Sequence, residues 1–223
     1  EAGSKRVCRP LPCGTPRSCM AMTLVQKPAP EFKLAACMPD DTFQELSLSS
    51  FKGKKYVVLY TYPADFTFVC ASETVMFTKL QAEFDARDVQ VLGCSIDTEH
   101  VHKAWKATPQ EKGGIGPMSH PLLADVKKEL VTSYGCLLDN GLALRAVFII
   151  DREGVVRAEM KNDLPLGRNV EEALRIVDAL QFHEQSVKEG KVMVCPAQWK
   201  KGKRAMEPTT EGVAKYFKAG GDP

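Results

Sequence analysis

The residues of this 223-residue chain best suited to nucleophilic or redox chemistry are its eight cysteines. Cys70 follows the β-favouring run Tyr56–Tyr62 and precedes a pattern that predicts a helix over Ser72–Phe84. A helix N-terminus carries partial positive charge and unpaired N–H groups, which favour the thiolate, the nucleophilic form of cysteine. By position alone, a reactive thiol and an ordinary buried cysteine after a strand are equally compatible with this pattern.

Two polar residues could take part in chemistry at Cys70. Thr67 lies three residues before the cysteine, where its hydroxyl could exchange hydrogen bonds with a bound peroxide. Arg145 interrupts the apolar run Leu144–Ile150, and an arginine inside a buried strand needs a partner charge. Arg145 is therefore either an outward-facing residue at a sheet edge or a fixed cation that stabilises the thiolate and polarises the substrate.

Several segments resemble the peroxiredoxin family in their order and spacing. Residues 62–73 (YPADFTFVCASE) resemble the peroxidatic-cysteine motif through Pro63, Thr67 and Cys70. Residues 194–199 (VCPAQW) resemble the resolving-cysteine motif of the typical 2-Cys branch, with Cys195 in that place. Residues 162–168 (NDLPLGR) also resemble a family segment, and the similarity runs from about residue 28 to residue 217.

The chain departs from the family pattern directly after Cys70. The family has Pro-Thr there, whereas this chain has Ala71 and Ser72. Proline is pre-organised for the first helical turn, so alanine loosens the turn but adds an N–H donor, while Ser72 keeps the hydroxyl. We expect activity to survive with altered kinetics.

The resemblance implies a thiol peroxidase that needs no metal, haem or flavin. Cys70 attacks a hydroperoxide and becomes a sulfenic acid, while Thr67 and Arg145 orient the peroxide and Glu73 holds arginine or backbone groups in place. Cys195 of a partner subunit then forms an intersubunit disulfide, which a thioredoxin-like dithiol protein reduces. The resemblance further implies a homodimer that can assemble into a decamer of five dimers.

Two more segments resemble regulatory motifs of peroxide-sensitive family members. They are residues 113–116 (GGIG) and the pair Tyr216 and Phe217. By that resemblance, the C-terminal tail packs over the Cys70 helix, slows its unwinding and leaves the sulfenic acid open to further oxidation. The alternatives are a plain flexible turn and the end of an ordinary amphipathic helix.

The elements that must position these residues follow from hydrophobic periodicity. Alternating strands and helices, followed by a hairpin and a helix, predict an α/β thioredoxin-like fold with a mixed central sheet flanked by helices. Asn169 and Glu172 have the spacing of a capping box at the start of the last helix. The predicted strands are 56–62, 89–96, 122–124, 144–150 and 155–160, and the further helices are 99–108, 127–134 and 169–185.

The domain boundaries follow from changes in composition. We predict a flexible leader or targeting remnant at 1–22, a thioredoxin-like peroxidase domain at 23–185 and an extended C-terminal tail with the resolving cysteine at 186–223. Residues 1–30 hold five basic residues against one acid. The predicted location is cytoplasmic, or mitochondrial or plastid if the basic leader is a targeting remnant.

Composition argues against other partners and leaves some rival functions open. The net charge of +2 gives no reason to expect nucleic acid, and no apolar run approaches the roughly 20 residues that span a membrane. One rival function is a cysteine hydrolase, which needs a histidine near Cys70. The others are an oligomeric holdase chaperone and a metal-binding cysteine protein. The four histidines show no metal-ligand spacing, and no CxxC pair is present.

Overall fold

The computed structural model describes residues 23–221, and the predicted leader of residues 1–22 lies outside the described residues. The elements in this part of the chain, in order, are β1 (Lys33–Cys37), β2 (Phe43–Ser47), β3 (Tyr56–Thr61), α1 (Phe68–Lys79), α2 (Gln81–Asp85), β4 (Val89–Ser95), α3 (Glu99–Ala107), β5 (Leu122–Ala124), α4 (Glu129–Ser133), β6 (Arg145–Ile150), β7 (Val156–Asn162), α5 (Val170–Lys188) and α6 (Thr210–Lys218).

One mixed seven-stranded sheet organises the fold, in the order β2-β1-β5-β4-β3-β6-β7. The pairs β3–β4 and β4–β5 are parallel, and the other four neighbouring pairs are antiparallel. The hairpin of β6 and β7 forms as predicted from its tight connection. The predicted thioredoxin-like α/β fold with a mixed sheet is confirmed.

Two hydrophobic clusters cover the two faces of the sheet. Strand β3 is buried along its whole length, and alternate residues enter opposite clusters: Tyr56, Val58 and Tyr60 on one face, Val57 and Leu59 on the other. Helices α1 and α5 pack on the first face, which also holds Cys70, and α4 packs on the second. The sheet thus fixes α1 against the ends of the central strands.

The structure corrects several predicted boundaries. Helix α1 begins at Phe68, four residues before the predicted start at Ser72, and the helical stretch is interrupted at Leu80 before α2. The β1–β2 hairpin was not predicted, because half of its strand residues are exposed and its apolar residues show little periodicity.

The cap of helix α5 is only half of the predicted capping box. The Asn169 side chain accepts hydrogen bonds from the N–H groups of Glu171 and Glu172, as predicted. The reciprocal half of the prediction is wrong, because the Glu172 carboxylate pairs with Arg175 instead. A guanidinium one turn away offers that carboxylate a charged partner.

The C-terminal tail is more structured than an extended segment. Helix α5 continues to Lys188, three residues past the predicted boundary, and α6 forms within the tail. Between them Val194 and Met206 exchange backbone hydrogen bonds, and the Trp199 ring packs 4.9 Å from that of Phe182 on α5. Among residues 23–221, no helix combines the length and the apolar character needed to cross a membrane.

Candidate active site

Cys70 is the third residue of α1 and its side chain is fully buried. The sequence predicted that it would precede the helix, whereas it lies in the first turn. The unpaired N–H groups and the dipole of that turn favour negative charge on the sulfur. The earlier helix start therefore strengthens the predicted environment of the thiol.

Thr67 is the N-cap of α1, but its hydroxyl is used at the cysteine rather than as a helix cap. Its Oγ1 lies 2.7 Å from Cys70 Sγ and 2.8 Å from the carbonyl oxygen of Ala64. A hydroxyl has one hydrogen and two lone pairs. It can accept from the Cys70 thiol while donating to Ala64, and it can turn to donate to the thiolate.

Arg145 is the first residue of β6, and its guanidinium reaches the same sulfur. Its Nη1 lies 3.2 Å from Cys70 Sγ and 2.8 Å from Glu73 Oε2, while its Nε donates to the Leu164 carbonyl. The residue is 4% exposed, and β6 lies between β3 and β7. The alternative of an outward-facing arginine at a sheet edge is wrong.

Glu73 lies one turn after Cys70 and links two buried arginines. It binds Arg145 through Oε2, and it accepts from Arg168 Nε at 2.7 Å, Nη2 at 2.8 Å and the Arg168 backbone N–H at 2.8 Å. Arg168 Nη1 donates to the carbonyls of Thr61 and Ala146 at the ends of β3 and β6. The predicted contact of Glu73 with arginine and backbone groups is thus present.

The charges of this cluster balance only when the cysteine is ionised. Glu73 contributes one negative charge, and Arg145 and Arg168 contribute two positive charges, all in buried side chains. With Cys70 as a thiol the cluster carries one net positive charge, and with a thiolate it carries none. Buried charge is costly unless it is paired, so the cluster stabilises the thiolate.

Sequence reasoning did not select Arg168 as a site residue. It ends the segment NDLPLGR and lies 95 residues after its partner Glu73. The available signal was an arginine directly before the N-cap of a long amphipathic helix. Pro63, by contrast, was predicted, and it is buried at the end of β3, where it opens the loop that leads to Thr67.

Cys195 lies on another part of the chain, against α5. Its Sγ is 3.7 Å from the Ala179 carbonyl oxygen, and the side chain is partly exposed. Burial raises the pKa of this thiol, and the neighbouring Arg175 lowers it by a smaller amount. Cys70 and Cys195 are both free thiols and form no disulfide with each other.

The other described cysteines lack comparable surroundings. Cys94 and Cys136 are buried among apolar residues on the opposite face of the sheet, and burial raises the pKa of both thiols, that of Cys136 to about 11. Cys37 is also buried, and its pKa is raised mainly by burial. A buried thiol with a raised pKa is a poor nucleophile. The remaining three cysteines lie outside the described residues.

The histidines give no support to a cysteine hydrolase. His102 pairs with Asp65, His120 with Tyr60 and His183 with the Met193 carbonyl, and His100 is exposed beside Glu99. Within residues 23–221, the side chains close enough together to hold a metal ion are the carboxylates of Asp151, Glu153 and Glu184, and this group includes no cysteine.

Comparisons with known proteins identify the family of this chain. The AhpC/TSA family profile matches residues 25–159, and that of the C-terminal domain of 1-Cys peroxiredoxin matches residues 179–219. Peroxiredoxin-2 of Bos taurus is 46% identical over 201 residues, which cover 90% of this chain and 98% of that protein. Alkyl hydroperoxide reductase C of Helicobacter pylori is 46% identical, covering 87% of this chain and 96% of its own.

The solved structure of reduced Plasmodium vivax 2-Cys peroxiredoxin matches with a TM-score of 0.84 at 48% identity, covering 88% of this chain and 99% of its own. A match of this extent and identity shows common fold and family together. The chain therefore belongs to the AhpC/TSA family and, within it, to the 2-Cys peroxiredoxins, which are thiol peroxidases.

Proposed function

We propose that Cys70 is the peroxidatic cysteine of this thiol peroxidase and that Cys195 is its resolving cysteine. The observation that carries the proposal is the convergence of a hydroxyl and a guanidinium on one sulfur: Thr67 Oγ1 at 2.7 Å and Arg145 Nη1 at 3.2 Å from Cys70 Sγ. One group can donate to the thiolate or to a peroxide oxygen, and the other is a fixed positive charge.

The first step is an attack of the Cys70 thiolate on the nearer oxygen of a hydroperoxide. An S–O bond forms, the O–O bond breaks, and the departing oxygen leaves as water or an alcohol after taking a proton. The sulfur becomes a sulfenic acid. Thr67 and Arg145 donate to the peroxide oxygens as negative charge moves onto the leaving one, which is where fixed donors accelerate a reaction most.

The second step joins the two cysteines. The Cys195 thiol of a partner subunit attacks the Cys70 sulfenic acid, releasing water and leaving an intersubunit disulfide. Because Cys70 is fully buried in the first turn of α1, that turn must open before a second sulfur can reach it. A thioredoxin-like dithiol protein then reduces the disulfide by thiol–disulfide exchange.

Peroxide consumption coupled to a thioredoxin system tests this assignment. We expect Cys70→Ser to abolish turnover, and Cys195→Ser to react once with peroxide but not to turn over. A dimer band on non-reducing gels requires both cysteines. Cys136→Ala is the matched control, because that thiol is equally buried but lies on the opposite face of the sheet. Turnover by Cys70→Ser would overturn the assignment.

We also propose that the working protein is a homodimer able to form a decamer. Strand β7 supports this proposal, because it lies at the edge of the sheet. Its first residue, Val156, pairs with the backbone of Gln26 and Lys27, and the rest of that outer edge has no backbone partner within residues 23–221, so a second copy can pair there. Sedimentation velocity of the reduced and oxidised forms tests the proposal. A monomer at all concentrations would contradict it, because an intersubunit disulfide needs a partner.

We further propose that excess peroxide inactivates the enzyme by oxidising Cys70 beyond the sulfenic acid. The GGIG segment is a folded turn: Ile115 is buried, Trp105 Nε1 donates to the Gly113 carbonyl, and a Cβ at Gly114 would lie 1.9 Å from Thr108 O. That the tail covers α1 stays a prediction. Deleting residues 214–223 is expected to slow inactivation, whereas deleting 219–223 spares the Tyr-Phe pair and serves as control. Equal rates of inactivation for the form that lacks residues 214–223 and for the full chain would refute the proposed role of the tail.

The basic residues of the leader are the feature of this chain that bears on its cellular location. We propose a cytoplasmic protein, or one of mitochondria or plastids if the basic segment at residues 1–22 directs import. Expression of residues 1–30 fused to a fluorescent protein distinguishes these cases. Diffuse fluorescence supports the cytoplasm, and organelle fluorescence supports import.

A further inference from the structure

Asp65 is buried within the loop that links β3 to α1, two residues before Thr67. Its backbone N–H donates to Asp97 Oδ2 at 2.8 Å. Its Oδ1 accepts from the Tyr62 hydroxyl at 2.8 Å, and its Oδ2 lies 2.7 Å from His102 Nδ1. The loop is therefore tied to three different elements through this one residue, because Tyr62 follows β3, Asp97 follows β4 and His102 belongs to α3.

His102 bridges this carboxyl and the backbone of β5. Its Nε2 lies 3.0 Å from the Leu123 carbonyl oxygen, which can only accept, so Nε2 carries a hydrogen. The other ring nitrogen, Nδ1, forms the hydrogen bond with Asp65 Oδ2. Both side chains are 0% exposed. Burial raises the pKa of the Asp65 carboxyl, with Tyr62 and Asp97 as the other titratable groups that face it.

The backbone beside this pair is strained. Phe66 has φ +55, in the left-handed region that is unfavourable for a bulky residue. Its ring is half exposed and lies 6.1 Å from the ring of Trp105, so packing of its own side chain holds that conformation only in part. Strained residues persist only where their neighbours fix them, and they cluster at functional sites. Asp65 fixes the loop on one side of Phe66, and on the other side the Thr67 hydroxyl contacts the Ala64 carbonyl and the Cys70 sulfur.

We propose that Asp65 and His102 are positioning residues for the peroxidase reaction: their buried pair fixes the loop of residues 63–67 and, through it, the Thr67 hydroxyl at the Cys70 sulfur. The inference rests on the proposed role of Cys70. It adds a second requirement, since Thr67 can act only while this loop keeps its shape. Within residues 23–221, the hydrogen-bonding partners of the Cys70 sulfur are Thr67 and Arg145, and neither residue of the pair is among them.

Two substitutions of His102 distinguish the effect of losing the contact with Asp65 from the effect of a general loss of stability. In His102→Asn the side-chain amide occupies the place of Nδ1, so it keeps the contact with Asp65 and loses the Leu123 carbonyl. In His102→Gln the amide occupies the place of Nε2, so it keeps Leu123 and loses Asp65. Each variant removes the ring and leaves one buried acceptor unpaired, so both lose stability by a similar amount.

The readout is the second-order rate constant of the reduced protein with hydrogen peroxide, measured by competition against a reference peroxidase. We expect His102→Gln to lower it by about tenfold or more, because a small misplacement of a reacting group has a large kinetic cost. His102→Asn should stay within about threefold of the wild type. Tyr134→Phe, which removes a buried hydrogen bond to Pro30 in the other core cluster, should lower the melting temperature without changing the rate.

Equal rate constants with hydrogen peroxide for the two folded His102 variants would overturn the inference. The role of Cys70 is tested separately by Cys70→Ser. A Cys70→Ser variant that reacted like the wild type would overturn the proposed function and this inference with it. If both His102 variants fail to fold, Asp65→Asn and Asp65→Ala replace them. Asparagine can keep the contacts with Tyr62 and His102 and alanine cannot, so the positioning role requires a faster reaction in Asp65→Asn. Equal rates in those two variants would also overturn it.

Discussion

His120 gives a quantitative test of how the core around α1 responds to pH. The residue is 1% exposed, and its Nε2 lies 2.8 Å from the hydroxyl of Tyr60, whose ring stacks on Phe77 of α1. Its Nδ1 has no hydrogen-bond partner within the described part of the chain. Burial, with a smaller contribution from Lys106, lowers the pKa of the His120 imidazole to about 3.

The magnitude follows from proton linkage. An unfolded histidine has a pKa near 6.5, so between pH 7 and pH 5 the unfolded chain takes up about 0.7 proton at this position and the folded chain takes up almost none. The unfolded state then binds more protons, and the folded state loses stability as pH falls. We expect a loss of ~2 kcal/mol over this interval from His120 alone. The stability that the neutral His120 contributes is present above pH 6.5, and it is lost progressively as the pH falls toward 3.

Urea unfolding at pH 5, 6 and 7 measures this loss, with the protein reduced and its concentration constant because subunit association changes apparent stability. His120→Gln is the comparison, because its amide takes the place of Nε2 beside Tyr60 and cannot gain a proton. The other titrating groups act in both proteins and cancel in the difference. The wild type should lose ~2 kcal/mol more than the variant between pH 7 and pH 5. Parallel stability curves for the two proteins would refute the reasoning.

Three further predictions concern the cluster around Cys70 and the proposed resolving thiol, Cys195. Arg145→Gln should lower the rate constant with hydrogen peroxide by ~100-fold, because the substitution removes a fixed donor and a positive charge at the sulfur. Competition kinetics measure this rate constant, and a decrease of under threefold would contradict the prediction. Glu73→Gln should lower the free energy of unfolding by ~3 kcal/mol, since two buried guanidinium groups lose their shared carboxylate. Chemical denaturation measures this change, and an unchanged free energy of unfolding would show that the carboxylate does not stabilise the cluster. Disulfide formation after a peroxide pulse should accelerate from pH 7 to pH 9. Burial raises the pKa of Cys195, so the fraction of its thiolate is still growing over this range. A stopped-flow rate of disulfide formation that is independent of pH would argue against attack by that thiol.

The residues closest to the sulfur were accessible from sequence because their signals are local. Thr67 lies one helical turn before Cys70, and the motif that contains them has fixed spacing. Arg145 was accessible for another reason, since a charge inside an apolar strand needs a buried partner. Sequence reasoning left two orientations for that arginine, and the sheet order decides between them by enclosing β6 on both sides.

The supporting residues were not accessible, because their contacts are distant in the chain. Arg168 meets Glu73 across 95 residues, and Asp65 meets His102 across 37. Each of these side chains alone resembles an ordinary polar residue, and only the packing of α1, α3 and the sheet brings the partners together. The start of α1 was misplaced because Phe68 and Val69 favour strands, whereas the N-cap geometry of Thr67 begins the helix before them.

The charge balance of the cluster links the two halves of the proposed cycle. With a Cys70 thiolate, the charges of Glu73, Arg145 and Arg168 sum to zero with that of the sulfur. Attack on peroxide converts the thiolate to a neutral sulfenic acid, so one uncompensated positive charge returns to a site that is almost fully buried. Uncompensated buried charge favours exposure to water. In the proposed cycle, the loss of this negative charge would weaken the closed first turn of α1 at the step in which Cys195 reaches the oxidised sulfur.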